Sequence, residues 1–401
     1  MKIALIGNMN NNFFSMLRYF HDLEMDATLF LFKNEQAHFF PENDTWEMSK
    51  WEKHIIQTDL YNGFTKKNAS LLYVSKSKVK KMFEPYDFLI GCGSSPIYIH
   101  RAGLKLDLFV PYASGVEYSF LNKNSISKML GSGISKLLQV RAISKSVLYS
   151  VSFEKETINK LKKLKQDILP LGMPMLYNNE KPISHSKYLN DIIDILNKHK
   201  LVVFSHVSHI WKNIPKEWRN SYTRNDVLII SFSKYLKHRK TEKPLLVLLE
   251  YGPDVIYSKQ LIKELNIEEH VLWLKLMSRK EIMVLLNYVD IGAGKLGGLT
   301  IWGGVGWEFL SKGVPFFWNL KVTNTEYTEL TSNPMPKIFK DTSEFDITNH
   351  LLCFEKNPDK YKKIGNDLKI WFEKYGGIGL AKIWRDNILR IYQEKQINET
   401  I

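Results

Sequence analysis

Apolar residues fall along this chain in two alternating rhythms. Short runs of consecutive β-branched, aliphatic and aromatic residues recur, and between them lie helix-length stretches with apolar positions along one face. In the first half the runs predict strands at Lys2–Ile6, Ala27–Phe32, Leu71–Val74, Asp87–Gly91, Leu108–Tyr112, Val147–Val151 and Ile168–Leu171. In the second half they fall at Leu201–Phe204, Leu245–Glu250, Val271–Leu274, Asp290–Ala293 and Val314–Trp318. Many are apolar at successive positions, the pattern of strands covered on both faces. Such strands alternating with helices make parallel βαβ units, so each half reads as an α/β, doubly wound sheet.

The rhythm breaks between Gly172 and Lys200, where "GMPMLYNNEKPISHSKY" gathers prolines, asparagines and serines and predicts a linker. The chain then divides into a first domain over residues 1–180, a second over 195–375 and a C-terminal amphipathic helix over 376–401. Leu380, Ile383, Trp384, Ile388, Leu389 and Tyr392 lie on or near one face of that helix. Two doubly wound sheets facing a cleft would take ligands at the carboxyl ends of their strands.

A chain of 401 residues exceeds one comfortable core, in keeping with two domains. An apolar fraction of 44% excludes disorder as the governing state. The two cysteines, Cys92 and Cys353, stand far apart with no CxxC or Cys/His pattern, which argues against a disulfide or zinc and fits a reducing cytoplasm. "MKIALIGNMNNN" is too short for a signal-peptide core, and no apolar run is long enough to span a bilayer. The net charge of +14 is either a solvated lysine-rich surface or an attraction to anions such as nucleotide diphosphates, lipid head groups or nucleic acid.

The densest chemistry is "GAGKLGGLTIWGGVGWEFLSKGVPFFW", Gly292 to Trp318, a glycine-rich loop between a strand and a helix that stops at Gly313. Backbone amides at the start of such a helix form an anion site, and glycines at 303, 304 and 306 let a phosphate approach. Any α/β protein also needs glycines at such turns. Here Trp302 precedes them and Glu308 follows one helical turn on, where a carboxylate could accept paired hydroxyl groups.

"TIWGGVGWE" followed by "FLSKGVP" resembles the donor-binding signature of family 4 glycosyltransferases, which have the GT-B fold. The resemblance implies two Rossmann-like domains facing a cleft, with the C-terminal helix crossing back to the first. It also implies sugar transfer from a nucleoside diphosphate with retention of configuration. By the same likeness Glu308 would hold the ribose hydroxyls and the amides of Gly303 to Gly306 the diphosphate, with Trp302 as the signature aromatic. Thr300 stands where the family has its first glutamate, the residue that contacts the donor sugar. The backbone at Lys275 and Leu276 would face the base. The family's arginine after the first strand of the second domain is absent, with Ser208 and His209 in its place. Arg224, and after it Lys212, are the expected catalytic cations.

In the first half, Gly7 and Asn8 at the carboxyl end of the first strand are expected to touch the diphosphate or acceptor. Asparagine also tolerates left-handed backbone and caps helices, so a structural role is open. Glu117, beside Gly115, is a candidate for a sugar hydroxyl. There is no DxD triplet, so no metal is expected and the only cosubstrate is a UDP- or GDP-linked sugar. The acceptor would be a glycan or lipid-linked molecule. Basic amphipathic segments from Asn122 and Phe153 suit an anionic membrane surface, and equally suit core-facing helices. The expectation is a cytoplasmic transferase, peripheral at the inner face of the cell membrane, working in bacterial surface polysaccharide or glycolipid assembly. The alternatives are a silent nucleotide-sugar-binding subunit and a nucleotide-sugar epimerase, which would need carboxylates and a histidine clustered together. No nucleic-acid recognition motif is present.

Overall fold

The computed structural model describes residues 1–62, 73–111, 138–149, 167–169, 171–180, 186–214, 222–240, 243–297 and 302–400. The chain forms two compact units. The first comprises Met1–Tyr177, Glu329–Asn333 and Tyr375–Ile401; the second comprises Asn178–Thr328 and Pro334–Lys374.

Unit 1 is built on seven strands: β1 (Lys2–Ile6), β2 (Asp26–Leu31), β3 (Ile55–Gln57), β4 (Phe88–Gly91), β5 (Leu108–Phe109), β6 (Val147–Tyr149) and β7 (Ile168–Leu169). They lie in the order β3-β2-β1-β4-β5-β6-β7, every pair parallel. Ile3 to Ile6 of β1 are all buried, as consecutive apolar residues in a two-sided sheet must be. Helices α1 (Asn12–Asp22), α2 (Lys76–Phe83) and α3 (Ser95–Arg101) belong to this unit. Val79 and Phe83 of α2 and Ile97 and Ile99 of α3 pack with Ala4, Ile6, Phe30 and Leu89.

The strand expected at Leu71–Val74 is not found at Tyr73 or Val74, and residues 71–72 lie outside the described ones. Tyr73 is 82% exposed, so it has no sheet face to cover. The edge beside β2 is taken instead by β3, which pairs Ile55 to Gln57 with Leu29 to Leu31. That strand carries no apolar run, because an edge strand need not be covered on both faces.

Unit 2 has five strands: β8 (Leu201–Ser205), β9 (Pro244–Leu249), β10 (Val271–Leu274), β11 (Ile291–Ala293) and β12 (Phe316–Phe317). Their order is β10-β9-β8-β11-β12, again all parallel. The helices that position the site are α4 (Lys187–Leu196), α5 (Asn225–His238), α6 (Val255–Glu264), α7 (Arg279–Leu285), α8 (Gly304–Lys312), α9 (Glu344–Lys356) and α10 (Pro358–Tyr375). Leu201, Val203, Leu246, Leu248, Ile291 and Phe317 form one face of the core, closed by Phe232 of α5 and Leu351 of α9. The stretch read as a linker is helical from Lys187, where the Ser186 hydroxyl caps α4 by accepting from the Leu189 amide.

Both units are therefore Rossmann-like domains, with the strand order reversing between β1 and β4 in one and between β8 and β11 in the other. The last helix, α11 (Ile378–Thr400), belongs to unit 1. Trp384 is fully buried there and donates from Nε1 to the Gly172 carbonyl at 2.8 Å. The buried stripe runs Leu380, Ala381, Trp384, Ile388 and Ile391. Ile383 and Leu389, expected on that face, are about two-fifths exposed.

Candidate functional site

The carboxyl ends of β8 and β11 flank the switch point of unit 2, where ligands of doubly wound sheets bind. His206 follows β8 directly. Glu308 lies on α8, which begins beyond β11 and packs close because Gly292 has no side chain: a Cβ there would meet Phe309 at 2.5 Å. The two side chains meet, His206 Nε2 at 2.7 Å from Glu308 Oε2. From the start of α7, Arg279 donates through Nε to Glu308 Oε1 at 3.0 Å. Its helix is fixed by a capping box between Ser278 and Glu281.

Glu308 is 5% exposed. Burial alone would raise its carboxyl, but the hydrogen bonds and charges of His206 and Arg279 outweigh that and hold it below the ordinary carboxylate range. Each oxygen keeps a second acceptor site. His206 Nδ1 is buried and has no hydrogen-bond partner among the described residues.

The turn ahead of α8 is bare on one side. Among the described residues, no heavy atom lies within 4 Å of where a Gly303 side chain would begin, and at Gly304 the nearest is Arg279 Nη2 at 3.4 Å. The amides of Gly304 and Val305 have no acceptor among the described residues. Gly306 differs from expectation. Its amide bonds back to Gly303 O at 3.0 Å, and a Cβ there would lie 2.2 Å from Trp302 Cβ. It makes room for Trp302 rather than for a phosphate. Trp302 is itself buried, stacked on Tyr327 with centroids 5.4 Å apart and edge-on to Trp307 and Trp371. The tryptophans around the turn form a packed aromatic cluster, so Trp302 serves the fold.

The expected cations divide. Arg224 caps α5 in a left-handed conformation and is held through Nε by Asp226 at 2.9 Å, which keeps it charged. It sits beside the end of β11, since a Cβ on Gly297 would meet Arg224 Cγ at 2.7 Å. Lys212 is turned onto the Tyr257 ring, its Nζ 4.2 Å from the centroid. Lys275 and Leu276 form an exposed loop after β10. His209, placed by sequence where the arginine was missing, is buried against Trp273 and bonded to the Ser258 hydroxyl at 2.8 Å. Lys295, unremarked in the sequence, is half-buried just past β11 with no ion-pair partner among the described residues, and burial pushes its amine below the usual lysine range. Thr300 lies outside the described residues.

In unit 1, Gly7 and Asn8 are structural. Gly7 has φ of +91°, and a Cβ would meet Cys92 Sγ at 2.6 Å. Asn8 donates from Nδ2 to Asn11 Oδ1 (2.8 Å) and Phe39 O (2.6 Å) and accepts from the Phe14 amide at 2.9 Å. Both its amide protons are used, which corrects the expected ligand contact. Its own amide donates to Glu35 Oε1 at 3.1 Å, and burial lifts that carboxyl to about 7. Glu117 and Gly115 lie outside the described residues, as do the segment from Phe153 to 166 and most of the one from Asn122. Among the described residues no group of three His, Cys, Asp or Glu could hold a metal, and no helix is long and apolar enough to cross a membrane.

No protein-family model and no curated protein matches the sequence. Solved structures match over full length. HepE from Anabaena, in complex with UDP-glucose, shares 16% identity over 100% of this chain and 99% of its own, with a TM-score of 0.55. A glycosyltransferase from Rickettsia africae shares 15% over 98% of both chains, at 0.60. The chain has the GT-B fold. UDP-GlcNAc 2-epimerase from Neisseria meningitidis, bound to UDP-GlcNAc, matches at 13% identity over 97% of this chain and 100% of its own, at 0.58.

Proposed function

We propose that this chain is a glycosyltransferase that moves a sugar, with retention, from a UDP- or GDP-linked donor to a glycan or lipid-linked acceptor. The setting would be bacterial surface polysaccharide or glycolipid synthesis, at the cytoplasmic face of the membrane. The observation that carries the reading is Glu308: a buried carboxylate, oriented by His206 and Arg279, one turn behind an open glycine turn at the switch point of unit 2.

In this reading Glu308 accepts the ribose hydroxyls at its remaining lone pairs. The amides of Gly304 and Val305 and the positive end of α8 meet the diphosphate. Arg224 and Lys295 add charge beside the leaving group, the kind of preorganised stabilisation that lowers a barrier as charge develops. The leaving phosphate takes the acceptor's proton, and no bound metal is required. Thr300 would face the donor sugar and Glu117 an acceptor hydroxyl.

A thermal-shift panel of UDP-, GDP-, ADP- and CMP-sugars tests this, with wild type beside Glu308→Ala. One class should stabilise wild type, and the variant should lose most of the shift. Stabilisation of both proteins alike would remove Glu308 from the site.

One observation favours a second reading, an epimerase: the His206–Glu308 pair supplies the histidine and carboxylate together. Incubation with UDP-GlcNAc in deuterated water without acceptor separates the two. Deuterium entering the sugar means epimerase; sugar transfer on adding acceptor, without exchange, means transferase.

A further inference from the structure

Unit 1 holds a cavity of about 260 Å³ by the amino ends of its strands, whereas Gly7 and Asn8 follow the carboxyl end of β1. It lies where the chain enters β5 and β6, between the end of α3, the turn at Gly103 and the helical backbone at residues 138–143. Leu104, Leu106, Ala142 and Pro96 give it apolar walls, and His100, Lys105 and Lys145 stand in its lining. The turn at Gly103 is open, with nothing among the described residues within 4 Å of where a side chain would begin.

The charge of Lys105 acts on one nearby carboxylate, Asp107, without forming an ion pair with it. None of His100, Lys105 and Lys145 has an ion-pair partner among the described residues. The nearby carboxylate of Asp107, at the start of β5, is already engaged by Lys395 of α11 at 3.2 Å and accepts from the Leu89 amide at 2.8 Å. Arg141, one helical turn before Lys145, is exposed and adds its charge; together with burial, the charges of Lys145 and Arg141 push the His100 imidazole below its usual range. The helix end contributes little of its own, since its carbonyls at Ile99 and His100 are taken by the amides of Leu104 and Gly103. Recognition would rest on the side-chain cations and the apolar walls.

From this arrangement we infer that the cavity binds an amphiphilic phosphate, an anionic head carried on an apolar chain, with Lys105 and Lys145 on the phosphate and Leu104, Leu106 and Ala142 against the chain. Its volume lies just below the usual range of ligand pockets, enough for a head group and the first carbons of a tail. Arg141 and Lys145 belong to the basic segment that the sequence suggested for a membrane surface. The site is independent of the donor site in unit 2.

The probes are dihexanoyl phosphatidic acid, inorganic phosphate, and vesicles of phosphatidylcholine with or without phosphatidylglycerol. Each is titrated calorimetrically or by sedimentation into wild type and the Lys105→Gln/Lys145→Gln variant; both lysines are exposed, so the variant should fold. The short-chain lipid should bind wild type saturably, and the variant roughly fivefold more weakly for each lysine lost, the ratio for about 1 kcal/mol per basic residue at an anionic surface. The response to UDP-sugars should be equal in both proteins, so failure here leaves the donor site untouched, and the reverse. Loss of vesicle binding in the variant would assign the ligand to the membrane, whereas binding of the monomeric lipid alone would assign it to a soluble phosphate. Equal binding by the variant, no saturable binding, or inorganic phosphate binding as tightly as the lipid would each overturn the inference.

Discussion

His206 Nε2 lies 2.7 Å from Glu308 Oε2, joining the end of β8 to the helix beyond β11 across 102 residues of sequence. Arg279 completes the clamp on the other oxygen. Glu308→Gln keeps the shape and removes the charge, leaving two donors facing a neutral amide. Breaking a buried pair of this kind costs about 3 kcal/mol, read as a lower urea midpoint. The sign with pH follows from a carboxyl held below its ordinary value of 4.5. Its contribution is present above that pH and disappears as pH falls through the lower folded value. The gap between wild type and variant should therefore be widest near neutrality and close in acid.

Two buried groups, one in each unit, should contribute to stability with opposite pH senses. Glu35 in unit 1 is raised to about 7 from 4.5, so between those values the folded state holds a proton that the unfolded chain has lost. The Glu35 contribution to unit 1 is lost as pH rises through that window. His209 in unit 2 is lowered to about 4 from 6.5, so there the unfolded chain holds the extra proton and stability falls as pH drops. Hydrogen exchange followed across pH reads the units separately. Glu35→Gln, whose amide oxygen can still accept from Asn8, should gain on wild type from pH 4.5 to 7 and hold that gain above it. A flat difference would mean that Glu35 ionises normally.

The sheets were legible wherever burial on both faces forces an apolar run, as in β8 and β9. The edge strand Ile55–Gln57 was not, because Ile56 is 41% exposed and nothing selects for apolar neighbours. Glu308 could be picked out from its place after the glycine turn. His206 and Arg279 could not, since their meeting depends on how β8, α7 and α8 pack and leaves no local spacing. The one available signal was position: His206 directly follows an apolar run and Arg279 follows a helix-capping serine. Asn8 misled for the same reason, because a residue at a strand's carboxyl end can face a ligand or brace the loop, and only its partners at Asn11, Phe14 and Phe39 decide.

Trp384 fastens α11 to unit 1 by burial and by its bond to Gly172 O. Trp384→Ala removes a large core side chain and leaves that carbonyl without its donor. The expected cost is about 3–5 kcal/mol, seen as faster exchange of amides throughout unit 1. Nucleotide binding by unit 2 should persist. If exchange in unit 1 is unchanged, the helix is held by its other contacts.

Gly303 and Gly306 stand three residues apart and separate structure from binding. Gly306→Ala drives a methyl into Trp302 and should cost about 1–3 kcal/mol with little direct effect on ligand affinity. Gly303→Ala meets no heavy atom of the described residues, and its φ of −87° keeps an alanine out of the left-handed region. As a helix cap, alanine differs from glycine by only a modest amount, so the fold should tolerate it. The new methyl adjoins the Gly304 amide along the chain, however, where the proposed function brings a diphosphate. Calorimetry with the stabilising sugar nucleotide should show about a tenfold loss, the equivalent of one contact worth roughly 1.4 kcal/mol. Wild-type affinity in Gly303→Ala would count against a diphosphate held at the start of α8.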